Sequence, residues 1–148
     1  MKILLKVTLL LLLSSPLYAT DTMSAASNKE IAVKFFTAAF IDKDLDTARS
    51  YLSDDYIQHI PNIKNGSRAF FEFVTMMKEH NTESKYEIKR AIAENDLVVL
   101  HIMSKPKPGG PTLAVIEIFR VANSKVVEHW NVKQEVPDVV SVNGNSFF

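Results

Sequence analysis

In the stretch "VVEHWNVKQ", Val126 to Gln134, a histidine, a tryptophan and an asparagine stand side by side in a segment whose branched residues mark it as a β-strand. Two-residue alternation puts His129 and Asn131 on one face and Glu128, Trp130 and Val132 on the other. Two neighbouring apolar segments are interrupted in the same way. His101 stands inside "LVVLHIMS", on the face of Leu97, Val99 and Met103, and Glu117 stands inside "AVIEIFRV". Upstream, "YIQHIPN" adds Tyr56, His59 and Asn62. A polar group costs free energy to bury without a partner, so each of these positions calls for a reason. Carboxylate and imidazole are the side chains that take and return protons near neutrality, while amide and phenol groups hydrogen-bond to a carbonyl. The chemistry within reach of this set is proton transfer beside a bound carbonyl compound. For Glu117 the plain structural alternative is pairing with Arg90 or Arg120, and for Trp130 it is core packing.

The elements that must position these residues fall into two halves. "SNKEIAVKFFTAAFI" opens with Ser27 and Glu30 in capping-box spacing, and Ile31, Phe35, Phe36, Ala39 and Phe40 recur at helical intervals. Asp44 can cap a short helix, "LDTARSYL". An extended piece broken by Pro61 and a turn at Asn65 and Gly66 follows, and Ser67 can then cap "RAFFEFVTMMKEH". From Lys85 onward the period changes. "KYEIKRAIAEN", "DLVVLHIMSK", "TLAVIEIFRV" and "VVEHWNVKQEV" read as strands separated by the turn residues of "END", "PKPGGP" and "ANSK", and such short connections favour antiparallel hairpins. Helices first and antiparallel strands afterwards describe an α+β domain in which helices cover one face of a curved sheet and leave a cavity. Register is not fixed by the last turn. A two-residue loop at Asn123 and Ser124 sets Glu117 opposite Trp130, whereas one more residue sets it opposite Asn131, and that slip exchanges the faces.

At 148 residues and 47% hydrophobic composition the chain is long enough for one well-filled domain. Lys+Arg and Asp+Glu both number 17, so no field of one sign exists to gather nucleic acid or an anionic membrane surface. The absence of cysteine excludes disulfides, thiolate catalysis and thiolate metal sites. The four histidines lack the helical spacing of a zinc motif, and no metal is expected. "MKILLKVTLLLLLSSPLYAT" has Lys2 and Lys6, an apolar run from Val7 to Leu13 and a small residue at Ala19, the layout of a secretory signal peptide. Residues 1–19 are therefore expected to be removed after Ala19, giving an exported, periplasmic or secreted protein that is free of the membrane after cleavage.

The combination of "YIQHIPN", "AVIEIFRV" and "KVVEHWNVKQEVP" after N-terminal helices resembles the SnoaL-like polyketide cyclase branch of the NTF2-like superfamily. The resemblance covers residues 20–137 and leaves 138–148 as a C-terminal tail. It implies a cone, in which a strongly curved antiparallel sheet wraps around N-terminal helices, with a ligand pocket inside and a homodimer as the assembly. It also implies that Glu117 and the odd-numbered face of the last strand look into that pocket. The activity implied is intramolecular aldol closure of a small carbonyl compound, without metal or organic cofactor, begun when a pocket aspartate removes a carbon-bound proton. Much of the family reads "EHWD" where this chain reads "EHWN", so Asn131 stands in the position of the family's base. An amide cannot take a proton at ordinary pH. The role then passes to Glu117, or to His129 or His59, and Asn131, Tyr56, His101 and Trp130 are the candidate ligand-binding residues. Two further functions fit the same residues: a silent pocket that binds an apolar molecule without changing it, and an interaction module that uses the outer sheet face.

Overall fold

The computed structural model describes residues 24–137 and 142–148, so the expected signal peptide and the first residues of the expected tail lie outside the described residues. Helix α1 spans Ala25–Phe36, α2 spans Leu45–Tyr51 and α3 spans Ser67–His80. Strands β1 (Leu52–Gln58), β2 (Lys85–Glu94), β3 (Leu97–Lys105), β4 (Leu113–Ala122) and β5 (Lys125–Glu135) form one sheet in the order β1-β5-β4-β3-β2.

The caps of α1 and α3 fall three residues and one residue before the serines that the sequence offered. Ser24 caps α1, its hydroxyl accepting the Ser27 N–H at 3.2 Å, so Ser27 lies in the first turn rather than at its head. Gly66 precedes α3 at φ +93°, a conformation that costs a side-chain-bearing residue heavily. Its N–H donates to the Tyr56 carbonyl at 2.7 Å, and Ser67 instead donates its hydroxyl to Asp54 at 3.3 Å. Asp44 caps α2 as expected by accepting the Thr47 N–H at 3.1 Å, and these bonds to Thr47 hold its carboxyl below the usual range.

Buried residues on α1 fall at Asn28, Ile31, Ala32, Phe35 and Phe36, one helical stripe facing the sheet. Beyond Phe36 the helix widens into a single π turn, Thr37–Ile41. Phe36 and Phe40, four residues apart on one side of it, have ring centroids 4.9 Å apart. Phe35 meets Phe70 of α3 at 5.4 Å and Phe119 of β4 at 5.7 Å, so three elements share one aromatic centre. Each such ring contributes about 1.5–3 kcal/mol by leaving water.

β1 adds what the extended reading of its segment did not contain, because it pairs with β5 in parallel and makes the sheet mixed rather than wholly antiparallel. The other four strands form antiparallel hairpins in sequence order. Two one-residue bulges curve this sheet. In β2 the register shifts between Ile88 and Arg90, so Tyr86 and Ile88 pack inward before the bulge and Ala91 and Ala93 after it. In β5 the shift falls between Val126 and Glu128. The turn at Asn123 and Ser124 has two residues, both at positive φ (51° and 60°), and Ala122 pairs with Lys125 and Val121 with Val126. Val127 is then the unpaired residue, Arg120 pairs with Glu128, and Glu117 comes to lie opposite Asn131. The displacement that a longer loop would have produced comes from a bulge inside the strand.

Candidate active site

Inside the cone, between the sheet and the helices, lies a cavity of about 480 Å³, within the size range of small-molecule sites. Phe36 closes it from the end of α1 and Phe40 from the π turn, Phe70, Phe73 and Met76 from α3, and Ile60 and Ile63 from the loop after β1. Gly66 N–H to the Tyr56 carbonyl and Gln58 N–H to the Asn65 side-chain oxygen at 2.8 Å help to hold that loop. The sheet contributes Val115, Glu117 and Phe119 from β4 and His129, Asn131 and Lys133 from β5. Because the Val127 bulge switches parity, Val126 before it and His129 after it both point inward.

Of the residues singled out in the sequence, Glu117, His129 and Asn131 come together on the cavity wall. His129 and Glu117 are both largely buried, at 7% and 13% side-chain exposure, and His129 Nε2 contacts a Glu117 carboxylate oxygen directly. Phe119 stacks against the imidazole with centroids 4.9 Å apart. On the other side of the ring His129 Nδ1 lies 3.1 Å from Gln58 Oε1. Gln58 Oε1 also accepts the Ile60 N–H at 3.0 Å, and Gln58 Nε2 donates to the Tyr56 hydroxyl at 2.9 Å. A continuous polar line thus runs Tyr56–Gln58–His129–Glu117 through an otherwise apolar wall. Asn131 is the cross-strand neighbour of Glu117, which places their β-carbons about 4.5–5.5 Å apart.

Tyr56 is fully buried beneath the cavity and does not line it. Burial, reinforced by the Glu117 charge, raises its hydroxyl well above the ordinary phenol range, so it is a neutral hydrogen-bonding group. The structure places His59, expected as a proton carrier, and Trp130 and His101, expected at the ligand, away from the cavity lining. His59 lies on the outside, stacked on Trp130 at 4.6 Å, with Nε2 2.8 Å from Glu128. Glu128 also accepts from Arg120 at 2.8 Å, and Arg120 reaches Asp96 at 2.5 Å. The hydrogen bond from His59 and the Arg120 guanidinium together hold the Glu128 carboxyl below its usual range. His101 also faces outward, where its Nδ1 accepts from Arg90 at 2.7 Å and its ring stacks on Phe148 at 5.5 Å. The inner face of β3 belongs instead to Val98, Leu100, Ile102 and Ser104. Arg90 and Arg120, the alternative partners for Glu117, are engaged on that same outer face.

Gln58 is the residue that the sequence reading passed over. Its signal was available, because a position two residues after Tyr56 on a strand shares its face. Among the described residues no three His, Asp or Glu side chains gather as a metal ion would require.

Comparison with known proteins agrees with this geometry at the level of fold. AclR from Streptomyces galilaeus, a proposed hydroxylase, superposes with a TM-score of 0.63 at 22% identity, over 75% of this chain and 91% of that one. IdmH from Streptomyces antibioticus, a proposed polyketide cyclase, gives 0.60 at 15% identity, over 72% and 91%. A proposed ketosteroid isomerase from Kribbella flavida gives 0.67 at 14% identity, over 78% and 83%. No curated protein matches the sequence. At these identities the structures establish the NTF2-like fold, and the family rests on the sequence itself. The SnoaL-like domain model matches residues 32–129, from the first helix through the histidine of the dyad, and this chain is a member of the SnoaL-like family.

Proposed function

We propose that the protein binds a small, largely apolar carbonyl compound in this cavity and catalyses its enolisation, or an aldol closure that follows from it, with Glu117 as the base. The observation that carries the reading is the Glu117–His129 contact beside Asn131 on the wall of an apolar cavity. With one carboxylate oxygen engaged by His129, the other takes the proton from the acidified substrate carbon. The C–H bond breaks, an O–H bond forms on Glu117, and the electron pair moves into the enolate. Asn131 donates an amide N–H to the enolate oxygen, a role that an amide fills better than a carboxylate. In an aldol closure the enolate carbon then attacks a second carbonyl of the same molecule, and the new alkoxide recovers the proton from Glu117. No redox equivalent is consumed.

That a proposed polyketide cyclase and a proposed ketosteroid isomerase share this fold supports this class of chemistry without specifying a substrate. The leader-like residues 1–19 support placing the protein outside the cytoplasm, where a diffusible substrate suits it better than a carrier-bound one. Exposed Ile57, Ile92 and Val132 on the outer sheet face support a homodimer through that face.

The test is deuterium exchange, read by NMR, at the acidic carbon of a panel of diffusible 1,3-dicarbonyl compounds. Wild type is expected to exchange, with a loss of roughly 10²-fold or more in Glu117→Gln, the usual scale of a lost general base. The second reading, a binding pocket without chemistry, is favoured by the amide at Asn131, which cannot serve as the family's base. It predicts exchange only in Asn131→Asp, and saturable binding without turnover in the wild type.

A further inference from the structure

We infer that Gln58 is a positioning residue that fixes the proton arrangement of the Glu117–His129 pair. The orientation of its amide is decided by the backbone. Ile60 N–H points at Oε1 from 3.0 Å, and a donor there requires the carbonyl end of the amide. Turning the amide over would set its NH₂ against that N–H and lose the bond in a buried place. With Oε1 so placed, the atom 3.1 Å from His129 Nδ1 is an acceptor and nothing else, and Nδ1 must carry a proton. The other ring nitrogen then faces the Glu117 carboxylate. Two lone pairs repel at contact distance, so a second proton sits between Nε2 and Glu117, as imidazolium and carboxylate or as neutral imidazole and carboxylic acid.

The relay thus holds one more proton than an isolated Glu–His contact requires. In a pair without Gln58, the ring can keep its single proton on Nε2, donate it to Glu117 and leave Nδ1 bare. Gln58 removes that alternative. The Tyr56 hydroxyl, receiving the Gln58 Nε2–H at 2.9 Å, secures the far end of the amide in the core. The consequence for chemistry rests on the proposed role of Glu117: the carboxylate that takes a carbon-bound proton does so with its other oxygen already hydrogen-bonded by a proton it shares with His129.

Nitrogen-15 NMR of histidine-labelled protein tests the arrangement without any substrate, because a protonated and a bare ring nitrogen resonate far apart. The His129 signals are assigned by their loss in His129→Gln. Wild type is expected to show a protonated Nδ1. In Gln58→Leu the proton should leave Nδ1, and in Gln58→Glu, whose carboxylate accepts from both Ile60 N–H and Nδ1–H, it should remain. Tyr56→Phe should also leave it in place, since the Ile60 N–H alone orients the amide. A bare Nδ1 in the wild type, or an unchanged Nδ1–H in Gln58→Leu, overturns the inference, and the wild-type spectrum decides even if the leucine variant fails to fold. If turnover is found, Gln58→Leu should lower kcat about tenfold or more with KM little changed, and Gln58→Glu should restore most of it. A protonated Nδ1 in a protein that turns over no dicarbonyl would count against the enzymatic reading and leave the role of Gln58 standing.

Discussion

The contact between Glu117 and His129 should appear as a large non-additivity in stability. Consider His129→Leu, Glu117→Leu and the double variant, each replacing a polar group with an apolar one of similar bulk on a wall that already contains Val115 and Phe119. Removing His129 alone leaves a carboxylate of 13% exposure with no partner, a change that typically costs about 3–5 kcal/mol. The low end applies, because Glu117 borders the cavity and water can reach it. Removing Glu117 alone leaves the imidazole its Gln58 contact and strips only one ring nitrogen, for about 1–2 kcal/mol. The double variant loses both partners together, and its cost reduces to that of the Gln58 Oε1 acceptor, which keeps the Ile60 N–H, so about 1–2 kcal/mol again. The coupling is therefore about 2–4 kcal/mol, against a total stability of about 5–15 kcal/mol for a domain of this size. Urea unfolding of the four proteins at one pH, with m-values compared to confirm a common two-state transition, measures it. Additivity within about 0.5 kcal/mol would show that the contact is not an energetic unit, and the proton-sharing argument would fall with it.

Other expectations are simpler to state. Phe119 is buried, touches Phe35 and covers His129, so Phe119→Ala should cost about 3–5 kcal/mol in urea unfolding and weaken ligand binding together with it. Glu128 titrates lower folded than unfolded, so its contribution is present above the unfolded carboxylate value of about 4.3 and is lost as pH falls through the folded value. The stability difference between wild type and Glu128→Gln should accordingly shrink on acidification below about pH 4, and a difference that grows there would contradict the outer network. His59→Ala should leave pocket binding and exchange unchanged, because His59 and the cavity lie on opposite faces of the sheet.

Much of the fold was legible because it rests on periodicity. The apolar stripe of α1, the cap at Asp44 and the four strand segments from Lys85 onward all carry local signals that tertiary packing then reinforces. The parts that were not legible depend on single backbone events. Nothing in "KVVEHWN" marks Val127 as the residue that leaves the ladder, yet that bulge decides whether Trp130 or Asn131 faces Glu117. Alternation grouped His101 correctly with Leu97, Val99 and Met103, but which face is buried is a property of the whole sheet, and here the even-numbered residues of β3 meet the helices. His59 and Trp130 went outside by the same logic. Gln58 was missed because a neutral amide in an extended segment shows no chemistry until the imidazole 71 residues away is set beside it.

The geometry also gives a physical account of why an amide suits position 131 once Glu117 is the base. A carboxylate there would stand directly across the strand from Glu117, in the same low-dielectric cavity. Two carboxylates at that separation cannot both be ionised cheaply, so such a pair would titrate in two widely separated steps, with one proton held by both groups. His129 would then be drawn into a three-group cluster, and the single proton between Nε2 and Glu117 would no longer be defined by one pair. With asparagine the charge is confined to the Glu117–His129 contact, and the neighbouring position supplies a neutral donor for an enolate oxygen. Asn131→Asp is therefore expected to change the pH dependence of exchange in shape rather than simply raising its rate. A profile for Asn131→Asp that keeps the wild-type shape at a higher rate would mean that residue 131 acts independently of Glu117, and that the carboxylate on β4 is a structural partner of His129 and not the base.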